Sequence, residues 1–161
     1  MIERAHPAQP EDLDALEHLV AEADAARREQ RGGELWALTT PLPDALRSCL
    51  ADALQSEGCR IVIGSIDDVP VGFAMARHVP LADGRHIAAV EGLFVTPGAR
   101  EVGVGEAMMD DLMAWSEQTG CAGIDGIALP GDRANKNFFE RFGLTARAIL
   151  VHRDLQPRPP A

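Results

Sequence analysis

The stretch that most constrains this chain runs from Glu91 to Ala107, Glu-Gly-Leu-Phe-Val-Thr-Pro-Gly-Ala-Arg-Glu-Val-Gly-Val-Gly-Glu-Ala. Its apolar run, Leu93, Phe94 and Val95, reads as a buried strand. Pro97-Gly98 breaks that strand, and Gly103 and Gly105 then open an amphipathic helix. Without a Cβ, a glycine lets backbone N–H groups approach a ligand closely, and the first N–H groups of a helix have no intrahelical partners. The positive end of the helix dipole lies behind those donors, so the element suits a phosphate or pyrophosphate. It is a strand–loop–helix anion cradle.

Two common cradles do not fit. A Walker A loop ends in Gly-Lys-Ser or Gly-Lys-Thr, and the chain contains no Lys-Ser or Lys-Thr pair. A Rossmann turn places Gly-x-Gly-x-x-Gly or Ala directly after its strand. Here the last of those positions is Met108, and seven residues separate Val95 from Gly103. Asp125 falls about where a ribose-binding acid would, but within a strand rather than at its end.

The run Val95-Thr-Pro97-Gly-Ala-Arg100-Glu-Val-Gly103-Val-Gly105 closely resembles the acyl-CoA signature of the GNAT superfamily of N-acetyltransferases, Val-x-Pro-x-x-Arg/Gln-x-x-Gly-x-Gly/Ala. The resemblance extends from about residue 59 to about residue 154. It implies acetyl-CoA as co-substrate, with the backbone N–H groups of Val102, Gly103, Val104, Gly105 and Glu106 on the pyrophosphate. It also implies that the Phe94–Val95 backbone pairs with pantetheine like an added strand, and that Arg100 supports the loop or meets phosphate. Glu101 and Val102 depart from the pattern, since relatives often carry Gly and a base there.

A chain of 161 residues with 46% hydrophobic and 25% charged residues is long and apolar enough for one ordinary domain, expected over 1–155. The proline-rich end, 156–161, is expected to be disordered. No apolar run reaches the roughly 18 residues that span a membrane, and the start shows no signal-peptide core. With three scattered cysteines (Cys49, Cys59, Cys121), the expectation is a cytoplasmic protein with reduced thiols. A net charge of −10 argues against an exposed nucleic-acid surface and favours a cationic acceptor, although solubility alone also explains it.

Along the chain, Ile2 to His6 reads as a short strand, and Pro10 begins a helix with Leu13, Leu16, Val20 and Ala23 on one face. Gly32-Gly33 ends it, 34–42 reads as a loop, and Pro43 to about Ser56 as a second helix. Three strands follow, Ile61 to Ile66, Pro70 to about Val79 and His86 to Val95, with Gly72 able to permit a bulge. After the cradle helix come a strand from Gly123 to Leu129, a helix from Arg133 to Phe142 that Asp132 can cap, and a last strand from Leu144 to about Leu155. This order, β-α-α-β-β-β-α-β-α-β, is an α/β (α+β) arrangement: a mixed, mostly antiparallel sheet with helices on both faces. It is also the GNAT order.

Acetyl transfer to an amine poses two proton problems. An amine with pKa about 10.4 costs about 4.6 kcal/mol to present neutral at pH 7, whereas a thiolate with pKa about 8.5 costs only about 2 kcal/mol to leave unprotonated. A base therefore matters more than an acid. Glu91, in the Glu-x-Leu-x-Val position where the family often carries a base or water-holder, is the first candidate; its spacing puts it on the side of Leu93 and Val95. It reads equally as a solvated or salt-bridged carboxylate.

Ala134-Asn-Lys-Asn-Phe-Phe-Glu-Arg-Phe-Gly-Leu144 resembles the second GNAT signature, whose Tyr aligns with Phe139, and the chain has no tyrosine at all. Asn135 and Asn137 are candidates for pantetheine contact or plain helix-surface residues, and Asp125 is a candidate second polar group at the acceptor. His6, His18, His78, His86 and His152 show no metal-ligand spacing, so no metal is expected.

The reading is an N-acetyltransferase for a primary amine of an unidentified small-molecule or protein acceptor, with that acceptor near 34–42 and a possible homodimer using the apolar C-terminal strand as an edge. The alternative is a non-catalytic acyl-CoA-binding module.

Overall fold

A computed structural model describes residues 1–156. The elements are β1 (Glu3–Pro7), α1 (Leu13–Arg28), α2 (Gly33–Thr39), α3 (Leu46–Gln55), β2 (Cys59–Ile66), β3 (Val69–Pro80), β4 (His86–Val95), α4 (Val104–Gln118), β5 (Ile124–Asp125) and α5 (Arg133–Arg141). Single 3-10 turns, Pro10–Asp12 and Pro97–Ala99, precede α1 and the cradle.

The strands form one sheet in the order β1-β2-β3-β4-β5. The first three pairings are antiparallel, and β4–β5 is parallel. Strand alternation divides the apolar residues between two cores. Val62, Ala74, Ala76, Ala88 and Val90 meet α4 and α5 through Met108, Met109, Leu112 and Phe139. Their neighbours Ile61, Ile63 and Phe73 face the other way, against Leu16, Leu19, Val20 and Leu50 of α1 and α3. Helices thus cover both faces, as the sequence order implies. On β2, a Cβ at Gly64 would lie 2.4 Å from Val104 Cγ1 and 2.8 Å from Met108 Sδ, so the missing side chain is what lets α4 settle onto the sheet.

Four expectations change. Residues 33–39 form α2 rather than a loop, and Gly33 fits at its start because a Cβ there would sit 1.8 Å from the Arg27 carbonyl oxygen. The first long helix ends at Arg28, and α3 starts at Leu46 rather than Pro43. Strand β5 has two residues instead of seven, and just after it the Phe139 ring stands 2.6 Å from where a Gly126 Cβ would be. Residues 144–155 form no strand. Ile149, Leu150 and Val151 are 83%, 87% and 85% exposed: β-branched composition favours a strand, but the segment joins no strand of the sheet. The expected disorder of 156–161 falls, but for Gln156, outside the described residues.

Because Gly64 has no free space, Gly64→Ala is expected to lower unfolding stability by about 1–3 kcal/mol, the usual cost of overpacking. Urea denaturation followed by circular dichroism should show the midpoint falling with an unchanged slope.

Candidate active site

Strand β5 pairs with β4 only at Ala88 and Ala89, so from Val90 to Val95 the β5 side of β4 has no strand beside it. A cleft of about 1150 Å³ occupies this fork, with Val90 to Val95 on one wall, Ile127 and Leu129 on the other, and the helix ends around its mouth. Thr96 N–H donates to Val71 of β3. Alternation back from it turns the backbone groups of Val95 and Leu93 towards the open side and those of Phe94 towards β3. The Phe94 ring is buried in the α1/α3 core.

The cradle forms at the cleft's end. Gly103 precedes α4 with φ +91°, a left-handed conformation that favours glycine, and no side chain caps the helix. The first intrahelical bond into this turn is Ala107 N–H to Gly103 C=O at 3.0 Å, which leaves the preceding amides free for a ligand. Gly103, Gly105 and Glu106 line the cleft, while the Val102 and Val104 side chains pack into the core and offer only their backbones. Arg100 Nε donates to the Val95 carbonyl at 3.1 Å, tying the loop to the strand end. The cradle also carries acids. Glu106 is paired with Arg141 at 2.9 Å, and Glu3 Oε2 lies 3.3 Å from a Cβ built at Gly103. Glu101 adopts φ +67°, which costs a side-chain-bearing residue about 1–2 kcal/mol.

Glu91 occupies a β-bulge. Met75 faces Gly92 and Ala76 faces Val90, so no β3 residue stands opposite Glu91. The extra residue reverses the alternation. Leu93 and Val95 pack on the α4 side, whereas Glu91 turns to the α1/α3 side and accepts from Arg77 Nε and Nη2 at 2.9 and 3.3 Å. The expectation that Glu91 shares a side with Leu93 and Val95 is therefore corrected by the bulge. The pairing raises the Arg77 pKa, chiefly through this hydrogen bond. A carboxylate held by one guanidinium keeps lone pairs for a water or amine, and Glu91 lines the cleft.

The other candidates separate. Asn135 and Asn137 of α5 line the cleft, with Asn135 Nδ2 3.5 Å from the Ile127 carbonyl oxygen. Asp132 caps α5 by accepting from Asn135 N–H at 3.0 Å, and its other oxygen is 3.4 Å from Gln30 Nε2, so the cap also bridges to the end of α1. Asp125 is not among the cleft-lining residues. Its carboxylate is gripped by the Arg147 guanidinium, whose hydrogen bond holds the carboxyl below the usual carboxylate range. Phe139, at the aligned tyrosine position, is a buried wall residue with no hydroxyl to give. Sequence reasoning missed Arg77, whose pairing is visible only once the β3–β4 register is known.

A sheet forked beside an uncapped, glycine-led helix start defines an acyltransferase of the GNAT architecture. Residues 16–144 match the family described as Acetyltransferase (GNAT) family, and the chain belongs to that family. An aminoglycoside N(6')-acetyltransferase type 1 of Stenotrophomonas maltophilia is 32% identical over 103 residues, which cover 62% of this chain and 65% of that protein, just under two thirds of its length. Among solved structures, the aminoglycoside acetyltransferase AAC(6')-Iy bound to a bisubstrate analog, CoA-S-monomethyl-acetylneamine, superposes with TM-score 0.74 at 18% identity, covering 98% of this chain and 100% of that one. A Bacillus halodurans protein gives TM-score 0.79 at 17% identity over 97% and 100% of the two chains. At such identities the structural likeness shows the fold.

Two substitutions test the cradle. Gly103→Trp should abolish acetyl-CoA binding in isothermal titration. Glu101→Gly relieves the left-handed strain and removes a carboxylate from the anion loop, so it should tighten binding several-fold.

Proposed function

We propose that the chain transfers acetyl directly from acetyl-CoA to a primary amine on a small molecule, with amino sugars of the aminoglycoside kind as the leading acceptor class. The open β4 edge beside the cradle carries this reading: one wall of the cleft offers unpaired strand amides and its end offers helix-start amides. The acceptor class rests on the Stenotrophomonas maltophilia relative.

The pantetheine arm lies along β4, and an outward N–H of the Leu93–Val95 edge polarises the thioester carbonyl, where charge develops during attack. The acceptor enters between α1, α2 and α3, past Trp36. Glu91, aimed by Arg77, takes a proton from the ammonium directly or through one water. The neutral nitrogen attacks the carbonyl carbon, the now cationic nitrogen of the tetrahedral adduct gives its extra proton to water, and the C–S bond breaks to release the amide and CoA thiolate. Water protonates that thiolate, a step that costs little without a tyrosine. Asp125 serves as the anchor for Arg147 and the C-terminal arm rather than in the chemistry.

The working unit is residues 1–155 as one domain in the cytoplasm; among the described residues no helix is long and apolar enough to cross a membrane. A homodimer would cover the exposed arm at Ile149, Leu150 and Val151. The second reading, a non-catalytic acyl-CoA-binding module, is favoured by one observation, the absence of any tyrosine.

A panel of aminoglycosides, polyamines and amino acids, scored by free-CoA release, separates the two. Turnover should fall about 10²–10⁴-fold in Glu91→Gln, the usual loss of a general base, with acetyl-CoA affinity retained. Binding without turnover on any amine, indifferent to Glu91→Gln, would favour the module.

A further inference from the structure

At the end of the sheet away from the cleft, three side chains distant in sequence converge. His78 is near the end of β3, and His86 opens β4. Since Pro80 faces His86 in the register, the two imidazoles are diagonal neighbours on one sheet face, with ring centroids 4.3 Å apart. Cys121 follows α4 and is fixed by its N–H to the Ser116 carbonyl at 2.9 Å and by Ala122 N–H to the His86 carbonyl at 2.8 Å. One donor atom from each of His78, His86 and Cys121 lies within 4.8 Å of the other two, and all three residues are half-buried. None of them lines the cleft. Val95 is about 30 Å further along β4.

All three donors meet at one residue. Thr119 Oγ1 is 3.0 Å from His78 Nε2 and 3.7 Å from Cys121 Sγ, and the Thr119 carbonyl is 3.0 Å from His86 Nε2. Thr119 Oγ1 donates to the Trp115 carbonyl at 2.8 Å, so it accepts from His78. The Trp115 ring stacks on His78 at 4.6 Å and 16° and closes the site on that side.

We infer that His78, His86 and Cys121 form a zinc-type metal site that clips the β3–β4 end of the sheet to the C-terminal end of α4. Two imidazoles and a thiol are a borderline-soft set that suits Zn²⁺. Zn–N of about 2.0–2.1 Å and Zn–S of about 2.3 Å put tetrahedral donors about 3.5 Å apart. The three donors, within 4.8 Å of one another, need to draw together by about 1 Å to reach that spacing. Binding replaces the Thr119 hydrogen bonds of the donors, releases the Cys121 thiol proton to solvent and leaves a fourth position for water or the Thr119 carbonyl. No oxidation is involved. The site is structural and independent of the acyl-transfer reading.

The test is titration of untagged, reduced, metal-stripped full chain with Co²⁺, which reports thiolate ligation by a near-ultraviolet charge-transfer band and tetrahedral geometry by visible bands. Both should saturate at one Co²⁺ per chain and disappear on adding Zn²⁺. The charge-transfer band should be lost in Cys121→Ser and kept in Cys49→Ser. Zn²⁺ should also raise the Tm of wild type by several degrees and leave that of His86→Ala unmoved. Wild type without a charge-transfer band at tenfold excess Co²⁺, or a band that survives Cys121→Ser, overturns the site. The wild-type titration decides even if a variant fails to fold.

Discussion

The molecule's chemistry depends on an incomplete strand pairing. Strand β4 is held along its length by β3 but shares only Ala88 and Ala89 with β5. Beyond that point the pairing stops, and the Phe139 ring packs against Gly126, where a Cβ would not fit. The break in pairing leaves strand amides facing a cleft, a setting in which unpaired backbone groups either bind a ligand or remain costly. The Gly103 turn places a second set of unpaired amides at the end of the same cleft. A thioester with a pyrophosphate at one end needs both sets in that arrangement.

The bulge at Glu91 is the second device. One extra residue in β4 lets Leu93 and Val95 remain in the α4-side core while the carboxylate turns to the α1/α3 side. There the Arg77 fork fixes its orientation. Such a pair is partly solvent-exposed and contributes little to stability. Its consequence is directional: the Arg77 fork holds the carboxylate in one orientation at the wall of the cleft.

What was legible in the sequence is what short-range chemistry decides. The bounds of β4, the glycine-led start of α4 and the Asp132 cap of α5 follow from spacing, φ preference and capping, and the structure places them as read. The Glu91 bulge was not legible, because a register shift depends on the partner strand, and neither was the Arg77 pairing that follows from it. Residues 144–155 have strand composition, yet they pair with neither the open side of β4 nor the outer edge of β5. Residues 33–39 became α2 because Gly33 can pack against the Arg27 carbonyl, a contact that periodicity does not reveal. His78, His86 and Cys121 have no motif spacing, and only the fold brings them together.

The central claim is that the open β4 edge and the start of α4 together hold acetyl-CoA. Backbone hydrogen exchange, resolved by residue and measured with and without saturating acetyl-CoA, tests it most directly. The account predicts strong new protection at Leu93, Val95 and Gly103 to Glu106, with little change in α1 or at the His78–His86 end of the sheet. Saturable binding that leaves those amides exchanging as before, with protection elsewhere, would contradict it.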